Sequence, residues 1–437
     1  MSMTRLHDHC KTREISFWGA VAIGVGGMVG GGIFAVLGLA ATLAGSATPV
    51  AFLIAGIVAL LTAYSYAKLT NAYPSEGGTI VFIDRAFGID LYTGGVNNLL
   101  WLSYVVTLSL YAVAFANYAA TFFTPHQGAL VHHALLSAGI LVPMVLNLAS
   151  PSLVSRTETA VVVIKIGILL LVVAFGVGGI DTSRLAISQW ESPTAIVGGG
   201  MLIFVAYEGF ELIANTAPNV DNREKVLPRA YYTSVGFVIL LYVVIAAVTV
   251  GTLSPEQIQS ASDFALAEAA RPSLGQLGFT LVAVSAVLAT FSAINATLYG
   301  SARLASSIAA EGEAPQFLER RIWNRPVPGL LLTALFALLL ANLADLTAIS
   351  SMGSAGFLLI FAFVNAANFV RHEEAKSSRS IAALGVVACL GALAALVGHT
   401  YQSKPAQLWV LVGMAMLGFM IEALYLAFDK PSASAPS

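Results

Sequence analysis

Long apolar segments, separated by short polar ones, follow one another along this chain from residue 16 to residue 428. Twelve of them are predicted to be membrane-spanning helices. They lie near 16-43, 47-72, 91-123, 132-149, 156-179, 194-218, 229-252, 276-310, 328-342, 346-370, 381-399 and 406-428. The segment 328-342 is shorter than a bilayer crossing unless its flanks take part. The pattern therefore predicts an all-α polytopic membrane protein with twelve transmembrane helices.

The composition indicates the same class of protein. Hydrophobic residues make up 57% of the chain and charged residues only 10%, with a mean hydropathy of +0.82. In a soluble domain about a quarter of the residues carry charge. A lipid bilayer is therefore the expected surrounding, and nothing indicates a nucleic-acid partner. Cys10 and Cys389 fall in a predicted tail and a predicted span, so no disulfide framework is expected.

The basic residues are distributed unevenly between the two sides of the predicted membrane. If the N-terminus is cytoplasmic, seventeen of the 21 Lys and Arg residues lie on that side, and Arg184, Arg271 and Lys404 lie on the other. Cytoplasmic loops typically carry such an excess of positive charge. We therefore expect a multi-pass protein of the cell membrane with both termini in the cytoplasm and without a cleavable signal peptide.

The first apolar segment contains six glycines within the nine residues 24-32. Each glycine costs about 1 kcal/mol relative to alanine inside a helix, so the run predicts a place where the helix stops and restarts. The alternative is close helix packing through the small-residue spacings Gly26 to Gly30 and Gly27 to Gly31. A break would expose amides on one side and carbonyls on the other, which suits a zwitterion.

A second interrupted span is predicted near 194-218. It contains Gly198-Gly199-Gly200, then Glu208-Gly209 and Glu211, with Asn215 and Pro218 close behind. If spans one to five and six to ten are two halves of the protein, the two interrupted spans occupy matching positions. Such pairs of interrupted helices indicate a binding site near the middle of the membrane, between inverted repeats.

Three stretches of the sequence resemble the amino acid-polyamine-organocation transporters. They are the run Gly26 to Phe34, the stretch Tyr207 to Glu211 followed by Asp221 to Ala230, and the loop Tyr73 to Thr79. Two further features resemble the proton-coupled amino acid transporters of that family. They are the stretch Asn295 to Gly300 in span eight and Lys165 in span five. The resemblance covers about residues 14 to 330, with weaker support in the last three spans.

This resemblance implies the LeuT-like fold, a five-plus-five inverted repeat with interrupted first and sixth helices. The corresponding divisions of the chain are a cytoplasmic N-terminal tail at 1-15, a first inverted repeat at 16-179, a second inverted repeat at 194-370, accessory helices eleven and twelve at 381-428, and a cytoplasmic C-terminal tail at 429-437.

Lys165 is a charged residue inside a predicted span. It follows Arg156 by nine residues, which at about 1.5 Å per residue places it about 14 Å along the helix, near the middle of the membrane. A lysine whose ammonium reaches the interface is the alternative. An ammonium at this depth is expensive unless it is paired or neutralised. The resemblance implies that this ammonium replaces a sodium ion, facing the Gly26 carbonyl and Ser292, and that it couples transport to protons.

Glu208 and Glu211 are the other charged residues at membrane depth. The resemblance implies a gate role for Glu211; a structural carboxylate bonded to nearby amides is the alternative. At position 208 the resemblance implies an apolar residue, but this chain has Glu208. A carboxylate there would bind a cationic side chain or a polyamine. The alternative is that the carboxyl group is protonated and has no role in binding.

The predicted substrate site lies at the two breaks. The amides of Gly30 to Gly32 would bind a carboxylate, carbonyls around Val205 and Ala206 would bind an ammonium, and Phe204 or Tyr207 would cover it. The complete predicted set is Gly27, Met28, Gly30, Gly31, Gly32, Phe204, Val205, Ala206, Tyr207 and Glu208.

Other polar and aromatic residues are predicted to serve mainly in helix packing. They are Ser103, Tyr104, Thr107, Phe291, Asn295 and Tyr299. His126, His132 and His133 have no cysteine or carboxylate cluster around them, so no metal site is expected. The sequence also offers no nucleophile with a base and no phosphate-binding loop.

The sequence therefore predicts a secondary active transporter for amino acids, small-molecule substrates, working as a proton symporter by alternating access, with the proton as coupling ion and no cofactor. An amino acid exchanger or a transporter of polyamines or cationic amino acids would share the fold. A membrane-embedded enzyme is a distant alternative, and a non-enzymatic role is expected. We expect a monomer or a weak oligomer.

Overall fold

The computed structural model describes residues 15–123, 128–149, 151–322 and 325–428, with backbone alone for 151–159 and 428. In these ranges the chain is helical, and β-structure is confined to isolated bridges such as that between Ile15 and Val220. Most of the predicted N-terminal tail, the predicted C-terminal tail and His126 lie outside the described residues.

The α-helices are numbered along the chain. They are α1 (Phe17–Met28), α2 (Gly32–Ala44), α3 (Thr48–Ala72), α4 (Thr79–Phe87), α5 (Leu91–Ala120), α6 (Ala129–Ala149), α7 (Pro151–Gly176), α8 (Pro193–Leu202), α9 (Arg223–Thr252), α10 (Pro255–Ser260), α11 (Ala265–Ala310), α12 (Val327–Leu343), α13 (Leu346–Val370), α14 (Arg379–Ser403) and α15 (Ala406–Phe428). Short 3₁₀ helices follow α8 at Phe204–Tyr207 and Phe210–Asn219.

The helices confirm a multi-spanning all-α protein. Among the described residues, nine helices are long and apolar enough to cross a membrane, and two bent pairs raise the number to eleven. The shorter apolar helix α12 coincides with the predicted segment 328-342. Each of the twelve predicted segments therefore corresponds to a helix or to a bent pair of helices.

Both predicted interruptions are present. Helices α1 and α2 are bent by 47° at a break of a few residues, and α8 is bent by 51° against the 3₁₀ segment Phe204–Asn219. These are the first and the sixth of the twelve segments. The glycine run therefore breaks the first helix, as predicted.

Helix α5 lies at the centre of the protein. In the most apolar 18-residue stretch of α5, 89% is buried inside the protein. In the corresponding stretch of the span that includes α7, only 22% is buried. Helix α5 is apolar around its whole circumference, which suits contact with neighbours on all sides. It packs against α6, α11, α12, α13 and α15. Its polar side chains are therefore held in fixed positions inside the protein.

Helix α11 is longer than predicted. The prediction began it at residue 276, but helical structure extends from Ala265 to Ala310. Gly275 joins two helical pieces with a φ of 61°, a left-handed conformation that glycine adopts without a Cβ clash. The added first piece carries charged residues, which is why hydropathy did not mark it.

A buried acidic cluster connects the end of α11 to α4 and α5. Glu313 is fully buried, and its carboxyl group accepts hydrogen bonds from Asn97 at 2.6 Å and from Thr93 at 3.4 Å. Asn97 also donates to Asp84 at 2.9 Å. Burial is the main reason why the pKa of Glu313 is raised from 4.5 to about 8; the bond from Asn97 opposes the rise, and the Asp84 and Glu422 carboxyl groups add to it.

This pKa shift predicts how stability depends on pH. Between pH 4.5 and about 8 the unfolded chain has released a proton that folded Glu313 retains, so the free energy of unfolding falls as pH rises through this range. Glu313→Gln should flatten this part of the thermal-stability profile in detergent and be more stable than the wild type at pH 8. Glu319→Gln, a change at an exposed carboxylate outside the cluster, should keep the wild-type profile. An unaltered slope in Glu313→Gln would contradict the prediction.

Candidate functional site

A cavity of about 860 Å³ lies between the two broken spans. It is lined by residues of α1, α5, α7 and α11 and by the segment that follows α8. Its polar lining includes Lys165, Glu208, Glu211, Tyr104, Tyr111 and Ser292. It extends to Ile15 and Trp18 at the beginning of α1, where Trp18 is 70% exposed. The cavity therefore joins the interior of the protein to the side on which α1 begins.

The first break is a short turn built from glycine. Helix α1 ends at Met28, and Gly30 N donates to Gly27 O at 3.2 Å. Helix α2 begins at Gly32, with Gly31 preceding it. The first N–H groups of a helix have no acceptor within that helix. The turn therefore presents the helix N-terminus that the sequence predicted at this position.

The second break is built around Gly209. The backbone is extended at Glu208, and Gly209 has a φ of 119°, which favours glycine. Gly209 also lies directly against α1, because a Cβ added at Gly27 would be 2.8 Å from the Gly209 carbonyl oxygen. Neither position has room for a side chain. The two breaks therefore cross each other backbone to backbone.

Lys165 reaches the first break from α7. Its Nζ donates to the Gly26 carbonyl oxygen at 2.9 Å, and the residue is 3% exposed. Ser292 of α11 lines the same cavity. Of the three residues predicted for proton coupling, Lys165 therefore contacts Gly26, and Ser292 lines the same cavity.

Glu208 and Glu211 are both buried, and each carboxyl group accepts a hydrogen bond from a tyrosine of α5. Tyr111 donates to Glu208 at 3.1 Å, and Tyr104 donates to Glu211 at 3.0 Å. Gly209 N also donates to Glu211 at 2.7 Å. Glu211 thus has both a contact across the cavity and a bond to nearby backbone.

The predicted substrate-binding residues divide into two groups. Gly27 and Glu208 line the cavity. The other eight predicted residues are buried and lie behind this lining. They are Met28, Gly30, Gly31, Gly32, Phe204, Val205, Ala206 and Tyr207. The ring of Tyr111, which lines the cavity, packs directly against Gly31, since a Cβ added at Gly31 would be 2.7 Å from Tyr111 Cγ.

Several of these buried groups have partners within the protein. Tyr242 donates to Met28 O at 2.6 Å and to Ala206 O at 3.3 Å. Val205 N donates to Ser354 at 3.0 Å. The Tyr207 hydroxyl donates to the Phe52 carbonyl at 2.8 Å. These bonds hold the broken segment in place after α8.

Sequence reasoning did not single out Tyr111, and it assigned Tyr104 to helix packing. Both line the cavity, and they are seven residues apart on α5, which places them on the same face of the helix. Two phenols at this spacing in an apolar span were the available signal. Tyr299, in contrast, is 41% exposed, and Asn295 accepts a hydrogen bond from Asn147 at 2.7 Å in the interior.

The histidines have ordinary polar partners. His132 contacts Asn117 and His133 contacts Asn342, each at 2.8 Å. Across the described ranges, no group of three or more His, Cys, Asp or Glu side chains has the arrangement of a metal site.

The fold and the cavity define a multi-spanning membrane transporter with two broken helices around a central site. Comparison with known families agrees. The amino acid permease family matches residues 15–431, and the chain belongs to this family, within the amino acid-polyamine-organocation superfamily.

Three similar proteins illustrate the relationship. The chain is 33% identical to the uncharacterized protein MJ0609 of Methanocaldococcus jannaschii, covering 96% of this chain and 97% of that protein. It is 33% identical to the inner membrane transport protein YbaT of Escherichia coli, covering 94% and 95%. It is 24% identical to the methylthioribose transporter of Bacillus subtilis, covering 92% of each chain.

Proposed function

We propose that this protein is a secondary active transporter that carries amino acids together with protons. The observation that supports it most is the hydrogen bond from Lys165 to Gly26 O at the broken end of α1, inside the central cavity. A titratable ammonium at this point connects the occupancy of a proton to the shape of the binding site. Membership of the amino acid permease family supports amino acids as the substrates.

In this proposal, protonated Lys165 stabilises the end of α1 by neutralising the partial negative charge of its last carbonyls. When the lysine is neutral, it no longer supplies this positive charge, so the first break changes its preferred arrangement. The substrate carboxylate binds the amides at Gly30 to Gly32, and the ammonium binds carbonyls near Val205 and Ala206. In this proposal, the bound substrate and the protonated lysine therefore stabilise the same conformation of the two broken segments.

The distribution of basic residues supports placing the beginning of α1 in the cytoplasm. The cavity extends to Ile15 and Trp18 on this side, so the conformation described here would be inward-facing. Glu211 and Tyr104 line the same cavity and are joined by a hydrogen bond. We assign them to an inner gate, which opens and closes as α1 and the segment after Gly209 move.

Uptake into proteoliposomes tests the proposal. Liposomes without internal amino acid should accumulate at least one member of a panel of the twenty amino acids when the inside is alkaline, and much less without the pH gradient. An exchanger would instead require amino acid inside the liposome and would be indifferent to the gradient. Recovery of chemically unaltered substrate from the lumen would separate transport from an enzymatic reaction.

A preference for cationic substrates is the second candidate, because the Glu208 carboxyl group lines the cavity beside the first break. A hydrogen bond to a charged group contributes about 1.5 to 3 kcal/mol. Glu208→Gln should therefore weaken competition by lysine, arginine or polyamines about tenfold or more and leave alanine little affected. Glutamine keeps an oxygen that accepts the bond from Tyr111.

If Glu208 instead belongs to the proton path, the glutamine variant would keep the substrate ranking and lose pH dependence. Competition by arginine and by alanine, measured across pH in both proteins, distinguishes the two roles. An unchanged ranking together with an unchanged pH dependence would contradict both.

A further inference from the structure

Tyr111 covers the turn between α1 and α2. The residue is 3% exposed, and its ring lies so close to Gly31 that an added Cβ would overlap ring atom Cδ1. Its hydroxyl oxygen is 3.6 Å from the position of a Cβ added at Gly30. The cavity lining includes Tyr111 but not Gly30, Gly31 or Gly32, so a ligand in the cavity reaches the turn only after Tyr111 has moved.

The Tyr111 hydroxyl is held by the second break. It donates to Glu208 Oε2 at 3.1 Å, and Glu208 is 4% exposed. Tyr111 comes from α5, which is fixed by packing on all sides, whereas Glu208 lies between two short 3₁₀ helices. Tyr111 thus connects the central helix to both broken spans, through its ring at the first break and through its hydroxyl at the second.

We propose that Tyr111 and Glu208 form a latch over the turn at Gly30 to Gly32, and that this latch lowers the affinity for ligands that carry a carboxylate. The inference rests on the proposed function and concerns how its carboxylate-bearing substrates reach their site. A ligand with a carboxylate must displace the Tyr111 ring to reach the turn. A ligand without a carboxylate binds in the cavity and leaves the latch closed.

Displacing the ring breaks the bond to Glu208, so the affinity of every carboxylate-bearing ligand is reduced by the free energy of that bond. A phenylalanine at this position keeps the ring but has no hydroxyl. Tyr111→Phe should therefore bind L-alanine and L-lysine about five- to tenfold more tightly than the wild type, whereas competition by cadaverine, which is lysine without its carboxylate, should not change.

Equilibrium binding of radiolabelled alanine and lysine to the purified protein at one pH provides the test, with cadaverine as competitor. Tyr118→Phe is the matched control, because Tyr118 is a buried tyrosine two turns further along α5 that does not line the cavity. It should bind all three ligands as the wild type does. Thermal stability, measured for each variant, identifies any change in folding.

Tighter binding of both amino acids by Tyr111→Phe, with cadaverine unchanged, supports the latch. Unchanged binding would mean that the tyrosine only packs, and weaker binding would mean that its hydroxyl contacts the ligand; either result overturns the latch. An equal gain for cadaverine would also overturn it. If the wild type binds none of the twenty amino acids, the proposed function itself fails, and the latch fails with it.

Discussion

Lys165→Ala is expected to abolish the accumulation of amino acids driven by a proton gradient. The lysine side chain carries an exchangeable proton and contacts the broken end of α1, through its bond to Gly26 O at 2.9 Å. Alanine has no proton to exchange and leaves that carbonyl without the ammonium. Uptake into proteoliposomes with an alkaline lumen should fall to the level of liposomes without protein, while exchange of amino acid across the membrane at equal pH is retained.

Lys68→Ala provides the control for this variant. Lys68 lies near the end of α3 and donates to Lys376 O, away from the cavity. It should accumulate substrate as the wild type does. Full gradient-driven accumulation by Lys165→Ala would exclude this lysine as the essential proton carrier.

Gly31→Val is expected to abolish amino acid binding. The space above Gly31 is filled by the Tyr111 ring in the present conformation and would be needed by the ligand carboxylate after the ring moves. A valine side chain would clash with the ring in the first arrangement and would occupy the place of the carboxylate in the second. Binding of radiolabelled amino acid to the purified variant should be undetectable at concentrations that saturate the wild type.

The same substitution at Gly236 separates loss of the site from loss of the fold. Gly236 lies on α9, and a Cβ added there has no atom within 4 Å. Gly236→Val should bind as the wild type does. A monodisperse Gly31→Val protein that retains wild-type affinity would place the carboxylate site elsewhere.

The architecture was predictable because its signals are local. Apolar segments of sufficient length mark the spans, and the run of glycines at 24-32 marks the first break, since glycine weakens a helix wherever it stands. The same reasoning located the second break near Glu208 and Gly209. It did not reveal that Gly27 and Gly209 contact each other, because that contact depends on how two distant segments cross.

The site was predictable only in part, for the same reason. Lys165 attracts attention as a charge in an apolar span, and its depth can be estimated from the helix rise. Tyr111 is one aromatic residue among many in α5, and its partner Glu208 is 97 residues away. The bond from Tyr242 to Met28 O likewise joins residues far apart in the sequence. Contacts between residues so far apart in the sequence depend on tertiary packing, and they cannot be read from a single sequence.

Proton movement that accompanies amino acid entry tests the central claim most directly. The wild type is reconstituted into proteoliposomes that contain a pH-sensitive dye and no amino acid, without an imposed pH gradient. Addition of a transported amino acid outside should acidify the lumen, and Lys165→Ala should show no acidification. Amino acid entry without any change in internal pH, or entry only into liposomes preloaded with amino acid, would contradict proton-coupled symport.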